Sequence, residues 1–265
     1  MSLNLRINQV SFSQVKAENL NKILRLISES TADIDIFPEY CMGVPNGELD
    51  RGFVEENAES AEGKFAHDIV TATESRGSAV VFTMFLKEGK AIYNAAILAR
   101  AGRIETVYKK IHLFDAYGYE ESALFASGNS LALAEVGPFK VGLAVCFDLR
   151  FPELFRAMAY KGANMFVVPS GWYRGKYKIT QWKVLSGARA HENVSYLVAA
   201  DQTLPHFIGH SLVTSPMGYA IAELKAEQAS FTVKLDLEEI QAARRLLPTA
   251  LLSRRDLYSK LEKDA

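Results

Sequence analysis

Three runs of the chain end in side chains capable of acid–base or nucleophilic chemistry. Val141 to Val145 is an apolar, β-rich run that stops at Cys146, and a charged, helix-starting segment from Phe147 to Glu153 follows at once. Ile34 to Phe37 leads into Pro38-Glu39, which leaves a carboxylate just past a strand, behind a proline that fixes the local backbone. Val107-Tyr108 leads into Lys109-Lys110, which leaves ammonium groups past another strand. The C-terminal edge of a strand is where an α/β sheet delivers its chemistry.

A thiol attacks carbon as the thiolate, and a free cysteine titrates at about 8.5. A nucleophilic Cys146 therefore needs a base or a positive charge nearby, and donors for the oxyanion that attack creates. Histidine is the usual base. Yet His67, His112, His191, His206 and His210 sit in unrelated contexts, and none is spaced to pair with Cys146. Their scatter also argues against a zinc site. If the three strands are neighbours, Glu39, Lys110 and Cys146 could converge at one sheet edge as base, charge stabiliser and nucleophile. Taken singly, each has a plainer reading. A Phe-Pro-Glu is commonly a solvated turn, a lysine pair is commonly surface, and an isolated intracellular cysteine commonly packs as a small hydrophobe.

Strand and helix signals alternate along the chain that must position these groups. Strands are predicted at Leu3 to Val10, Ile34 to Phe37, Ser78 to Leu86, Ile92 to Arg100 and Ile104 to Tyr108. Further strands are predicted at Leu131 to Glu135, Lys140 to Val145, Met165 to Pro169, Ser195 to Ala200, Ile208 to Thr214, Ala220 to Glu223 and Ser230 to Leu235. Helices are predicted at Val15 to Ser30, Ala61 to Arg76 with Gly77 as C-cap, Phe151 to Lys161 and Lys178 to Asn193. Asp236 is a fair N-cap for a closing helix. Hairpins mixed with strand–helix–strand units predict an α/β fold (α+β mixed sheets) in layers, over residues 1–265 as one domain. The tail 246–265 is apolar without a place in the sheet order, and it is expected to pack at a subunit interface.

Composition bounds the partners. The 265 residues carry 30 basic and 31 acidic side chains, a net charge of −1 that gives no footing for nucleic acid. No apolar run approaches the roughly 20 residues that cross a bilayer, and the first residues show no signal-peptide core. The two cysteines, Cys41 and Cys146, are too few for a disulfide framework, so a reducing compartment and a cytoplasmic protein are expected.

Phe37-Pro38-Glu39, Tyr108 to Phe114 and Cys146 to Glu153 occur together in that order. This combination resembles the nitrilase superfamily, the carbon–nitrogen hydrolases with a Glu-Lys-Cys triad. Further matches are Glu121-Ser122 before Gly128, Pro169 to Trp172, Trp182 with Arg189-Ala190 and Glu192-Asn193, and Gly209-His210-Ser211. The resemblance spans essentially the whole chain, and its motif variants are most similar to the Nit-type amidases. It implies a four-layer α-β-β-α sandwich, Cys146 as nucleophile, Glu39 as general base, Lys110 as transition-state stabiliser and Glu121 as a supporting glutamate beside Lys110. The backbone N–H of Phe147 is the expected second oxyanion donor.

The implied activity is cysteine-dependent hydrolysis of a small non-peptide amide, in particular an ω-amido acid, through a thioester, with no cofactor or metal. A nitrilase or a carbamoyl-amine hydrolase with the same triad is the alternative, and a non-catalytic interaction protein on the same fold is the rival of a different class. Homodimers that exchange C-terminal tails are usual in the family. Trp172 and Tyr173 are expected to wall the pocket, with Arg174 or Lys176 as a candidate partner for a substrate carboxylate. Arg189, Glu192 and Asn193 read as a structural network, His210 as a structural hydrogen-bonder and Cys41 as packing. Asp115 to Glu120 departs from the Nit-type pattern in the region of the substrate pocket.

Overall fold

Alternating burial along Ser2–Gln9 makes β1, the first strand of a computed structural model that describes residues 1–203 and 205–261. The chain continues through α1 (Lys16–Glu29), β2 (Ile34–Ile36), α2 (Arg51–Asn57), α3 (Lys64–Ala72), β3 (Ala79–Glu88), β4 (Ala91–Arg100) and β5 (Arg103–Lys109). A small hairpin follows, β6 (Asp115–Ala116) and β7 (Tyr119–Glu120), and then β8 (Leu133–Val136), β9 (Phe139–Leu143), α4 (Pro152–Tyr160), β10 (Met165–Ser170) and α5 (Lys178–Asn193). The last elements are β11 (Tyr196–Asp201), β12 (Leu212–Thr214), β13 (Ala220–Glu223), β14 (Ala229–Asp236), α6 (Leu237–Leu246), α7 (Thr249–Leu252) and α8 (Arg255–Leu261).

Two six-stranded sheets result, in the orders β14-β1-β2-β3-β4-β5 and β13-β12-β11-β10-β9-β8. Each holds three parallel strands at its centre, β1-β2-β3 in one and β9-β10-β11 in the other, flanked by antiparallel partners. Period-2 alternation sorts their side chains. Val80 and Phe82 of β3 join Ile23 and Ile27 of α1 and Phe65 and Ile69 of α3, whereas Ala79 and Val81 turn to the opposite face. In the other sheet Gly142 of β9 faces α4, where a Cβ would stand 2.7 Å from the Met158 sulfur. Phe166 packs edge-on against Phe155 of α4 on the same side, which leaves Val141, Leu143 and Val167 pointing inward. The outcome is the expected four-layer α-β-β-α sandwich.

Differences from the sequence reading have local causes. The strand before Cys146 stops at Leu143, because the Val145 N–H is taken by the Asp148 carboxylate instead of a ladder. Helix α3 spans Lys64–Ala72 rather than Ala61 to Arg76. Thr73 ends it with a side-chain bond to the Val70 carbonyl, and Gly77, at φ +61°, lies beyond that end. The strand predicted from Ile208 begins only at Leu212, because Ile208, Gly209 and His210 give their N–H groups to Trp172, Gln202 and Lys225. Helix α2 was not anticipated; Asp50 caps it by accepting from the Phe53 N–H. Leu246 at the end of α6, whose N-cap is Asp236 as read from the sequence, and Leu251 and Leu252 beyond it are exposed.

Candidate active site

The parallel strands β2 and β9 and the strand β5 all end toward one rim, and each delivers one chemical group there. Glu39 lies three residues past β2, and its N–H reaches across to the carbonyl of Ser170 at the end of β10. Lys110 follows β5 and is tied to β4 by its own N–H to the Asn94 carbonyl, 2.9 Å. Cys146 opens a 3₁₀ turn, Cys146–Arg150, with φ +44°. A side chain other than glycine is strained there, and such strain gathers at sites that something else over-determines.

Asp148 supplies that determination. Its buried carboxylate accepts from the Val145 N–H at 2.9 Å, the Tyr108 hydroxyl at 2.8 Å and the His112 N–H at 3.1 Å. It also meets His112 Nδ1 at 2.7 Å, while the His112 ring stacks on Phe151 at 3.7 Å. The cysteine turn is thereby pinned to the strand that carries Lys110. Asp148 also raises the Tyr108 hydroxyl, whose titration burial already pushes far up.

Beneath Cys146 lies a closed cluster of charge. Lys110 Nζ stands 3.1 Å from Glu39 Oε1 and 2.8 Å from Glu121 Oε2, with all three side chains essentially inaccessible to solvent. Asn94 donates its amide to both carboxylates, at 2.7 Å to Glu39 and 2.9 Å to Glu121. The remaining Glu39 oxygen accepts the Gly171 N–H at 2.8 Å, and Glu121 also accepts the Phe114 N–H at 2.6 Å. Gly171 is required by space: a Cβ there would stand 2.7 Å from the Tyr40 ring. Gln202 finishes the frame by donating to the Glu39 carbonyl at 2.8 Å.

Burial pushes the Glu39 carboxyl above the ordinary carboxylate range, a tendency that Lys110 opposes and Glu121 reinforces. Burial alone would pull Lys110 down, but Glu121 and Glu39 overrule it and hold the ammonium well above its usual value. The Cys146 thiol is pushed well up, first by burial and then by Glu39, with Lys110 opposing. The resting thiol thus keeps its proton, and a carboxylate more basic than usual stands in its field.

Cys146 and Lys110 open on a narrow cleft walled by Tyr40, Phe114, Phe147 and Trp172. Tyr173 lines it too, whereas Arg174 lines a larger adjoining cavity beside Lys176 and donates to the Pro205 carbonyl. Two cations that face Cys146 are Lys178 and Arg150, both in the cleft wall. The structural readings of the neighbours find matching contacts: Arg189 bonds the Leu149 carbonyl and Glu192, His210 meets Glu223, and Cys41 is buried against the Pro38 carbonyl.

Asn94, Asp148 and Lys178 were given no role at the site from the sequence, although Lys178 belongs with Arg174 and Lys176 to a small basic cluster there. The one available signal for Asn94 is an amide at a buried position in an otherwise apolar strand, Ala91–Arg100. The one signal for Lys178 is its place in that cluster, and a lysine opening a helix ordinarily reads as surface.

A family model described as carbon-nitrogen hydrolase matches residues 5–245. A deaminated glutathione amidase of Escherichia coli O157:H7 is 32% identical over 235 residues, 88% of each chain. An omega-amidase NIT2 of Danio rerio is 30% identical over 274 residues, 96% of each chain. Among solved structures, a carbon-nitrogen hydrolase from Helicobacter pylori G27 shares the fold with a TM-score of 0.88 at 20% identity, over 98% of both chains. An amidase from Nesterenkonia sp. AN1, solved as a double mutant in complex with acrylamide, superposes with a TM-score of 0.81 at 25% identity, over 98% of this chain and 97% of its own.

Proposed function

The chain belongs to the nitrilase superfamily of carbon–nitrogen hydrolases, and on that premise we propose that it is an amidase in which Cys146 is the nucleophile, Glu39 the general base and Lys110 the oxyanion stabiliser. The observation that carries the reading is the buried Glu39–Lys110–Glu121 cluster set against a strained cysteine at the floor of a small cleft. A carboxylate can accept the thiol proton while the neighbouring ammonium compensates the charge, so no histidine is needed.

Glu39 takes the Cys146 proton as sulfur attacks the amide carbon, and the carbonyl oxygen becomes an oxyanion. Lys110 and the Phe147 N–H hold that oxyanion; the opening N–H groups of a helical turn have no partner within it. Protonated Glu39 then passes its proton to the departing nitrogen, the C–N bond breaks and ammonia leaves a thioester on Cys146. Glu39 next takes a proton from water, whose oxygen attacks the thioester, and collapse of the second tetrahedral state releases the acid. The thiolate recovers its proton from Glu39, so the cycle consumes one water. Glu121 positions Lys110 throughout. The substrate is a small amide bearing a carboxylate, an ω-amido acid in particular, hydrolysed in the cytoplasm.

Ammonia release from a panel of ω-amido acids, neutral amides, carbamoyl amines and nitriles tests the reading. Cys146→Ala is expected to lose on the order of 10⁴-fold or more in turnover. Retained amide hydrolysis by that variant overturns the assignment, and turnover confined to nitriles or carbamoyl amines moves it to those substrates. The exposed Leu246, Leu251 and Leu252 further support a homodimer closed by the tail. Sedimentation at the 29.4 kDa of one chain would overturn that.

A further inference from the structure

Lys178 is the first residue of α5, and its ammonium lies at the boundary between the cleft holding Cys146 and the larger outer cavity. It faces aromatic rings: 4.0 Å from the Tyr117 centroid, 5.6 Å from Phe114 and 5.7 Å from Trp172. No carboxylate among the described residues forms an ion pair with it, not even Glu48, which lines the same outer cavity. Arg150 is its neighbour across the cleft, stacked at 4.8 Å on Trp172 and held by Gln181 at 2.9 Å, with its Nε buried and without a hydrogen-bond partner.

This arrangement is unfavourable for the free protein. Two cations share a partly enclosed space, and α5 directs the positive end of its dipole at the same point. Burial depresses the Lys178 ammonium and Arg150 adds to that, while Cys146 works in the opposite direction. Elsewhere in the site Lys110, Glu39 and Glu121 have countercharges; here, among the described residues, Arg150 has only the Gln181 amide and Lys178 only aromatic faces. The missing partner is an anion, and it would stand between the aromatic wall and the cysteine.

We propose that Lys178 anchors a carboxylate of the substrate at the junction of the two cavities, so that an anionic amide enters with its amide toward Cys146 and its acid end toward the outer cavity. This rests on the amidase reading and names the residue that selects the substrate class. It also moves anion recognition from Arg174 and Lys176, which lie farther out, to the next basic residue along the chain. The competing role for Lys178 is to stabilise the Cys146 thiolate, since the two groups feel each other. That role would serve every substrate alike, whereas an anchor serves only the anionic ones.

Two probe pairs separate these roles. The first is succinamate against the neutral butyramide, read as the ratio of their kcat/KM values. The second is alkylation of Cys146 by iodoacetate against iodoacetamide, which needs no turnover. In Lys178→Met both anion-to-neutral ratios are expected to fall about 10- to 100-fold, the effect of losing one charge-assisted hydrogen bond. Lys178→Arg should recover most of each ratio, and added salt should lower the wild-type ratios by screening. Ratios unchanged in Lys178→Met overturn the anchor: if both reagents slow together, Lys178 serves the thiolate, and if neither changes, it serves neither. A Cys146 that neither reagent labels overturns the amidase reading itself.

Discussion

Two groups of charge flank Cys146, and they are built in opposite ways. Below it, Glu39, Lys110 and Glu121 are shut off from water, and each has its partner: Lys110 bonds both carboxylates, Asn94 bridges them, and the Gly171 and Phe114 N–H groups take further oxygens. Above it, Lys178 and Arg150 lean on aromatic faces without an ion-paired carboxylate among the described residues, and one buried guanidinium nitrogen is unpartnered. The lower group is complete before any ligand arrives, as electrostatic preorganisation requires. The upper group lacks a negative charge. The difference separates the work of making and breaking bonds from the work of choosing what enters.

The strongest way to break that contrast is to remove the central charge of each group. Lys110→Met leaves two carboxylates buried together, and breaking a buried ion pair from one side costs roughly 3–5 kcal/mol. The expected outcome is a fall in Tm of about 10 °C, at roughly 2–4 °C per kcal/mol in a chain of this size, with turnover lost. Because Glu39 is already inclined to hold a proton, the destabilisation should shrink at acid pH, where the carboxyls can neutralise. Lys178→Met, by contrast, removes an ammonium that rests on aromatic faces and has no countercharge among the described residues, so stability should move by no more than about 0.5 kcal/mol. Thermal melts at two pH values measure both. Equal melts for Lys110→Met and wild type would mean that the lower cluster is not the closed unit described.

The strands and their layering were legible from local pattern. The four-layer sandwich and the meeting of Glu39, Lys110 and Cys146 came from the resemblance to the nitrilase superfamily, the pattern alone giving that meeting only on condition that the three strands are neighbours. Period-2 runs bounded by turns give strands, and a chemical residue just beyond a run gives a sheet-edge site. What could not be read is whatever depends on chain segments meeting far apart in sequence. Asn94 joins two carboxylates 55 and 27 residues away, and no local pattern marks it for that. Asp148 reaches Tyr108 and His112, 40 and 36 residues back, although its place in the turn after Cys146 was in view. The end of β9 was misplaced for a local reason, since the Asp148 carboxylate, three residues on, takes the Val145 N–H that an apolar run would assign to the sheet. Arg174 and Lys178 are both basic residues after a strand end. Only the fold tells which of them faces the cysteine.

A finer separation of the two groups comes from pH, because burial shifts their titrations toward each other. Glu39 must be ionised to accept the thiol proton, and burial raises it above the ordinary carboxylate range. The acid limb of kcat/KM should therefore lie above that range and be shared by neutral and anionic amides, since it belongs to the chemical step. Lys178 must be protonated to hold a carboxylate, and burial with Arg150 lowers it from the ordinary lysine value of 10.5. Its cation is present at low pH and is lost as pH rises, so the preference for succinamate over butyramide should decay before ordinary lysines titrate. Lys178→Arg keeps its charge far higher and should abolish that decay while leaving the acid limb in place. Measuring kcat/KM for both amides from pH 5 to 10.5 in the wild type and in this variant gives two curves whose ratio isolates the upper group. An acid limb that differs between the two substrates would tie the lower cluster to anion binding, and the division of labour around Cys146 would not hold.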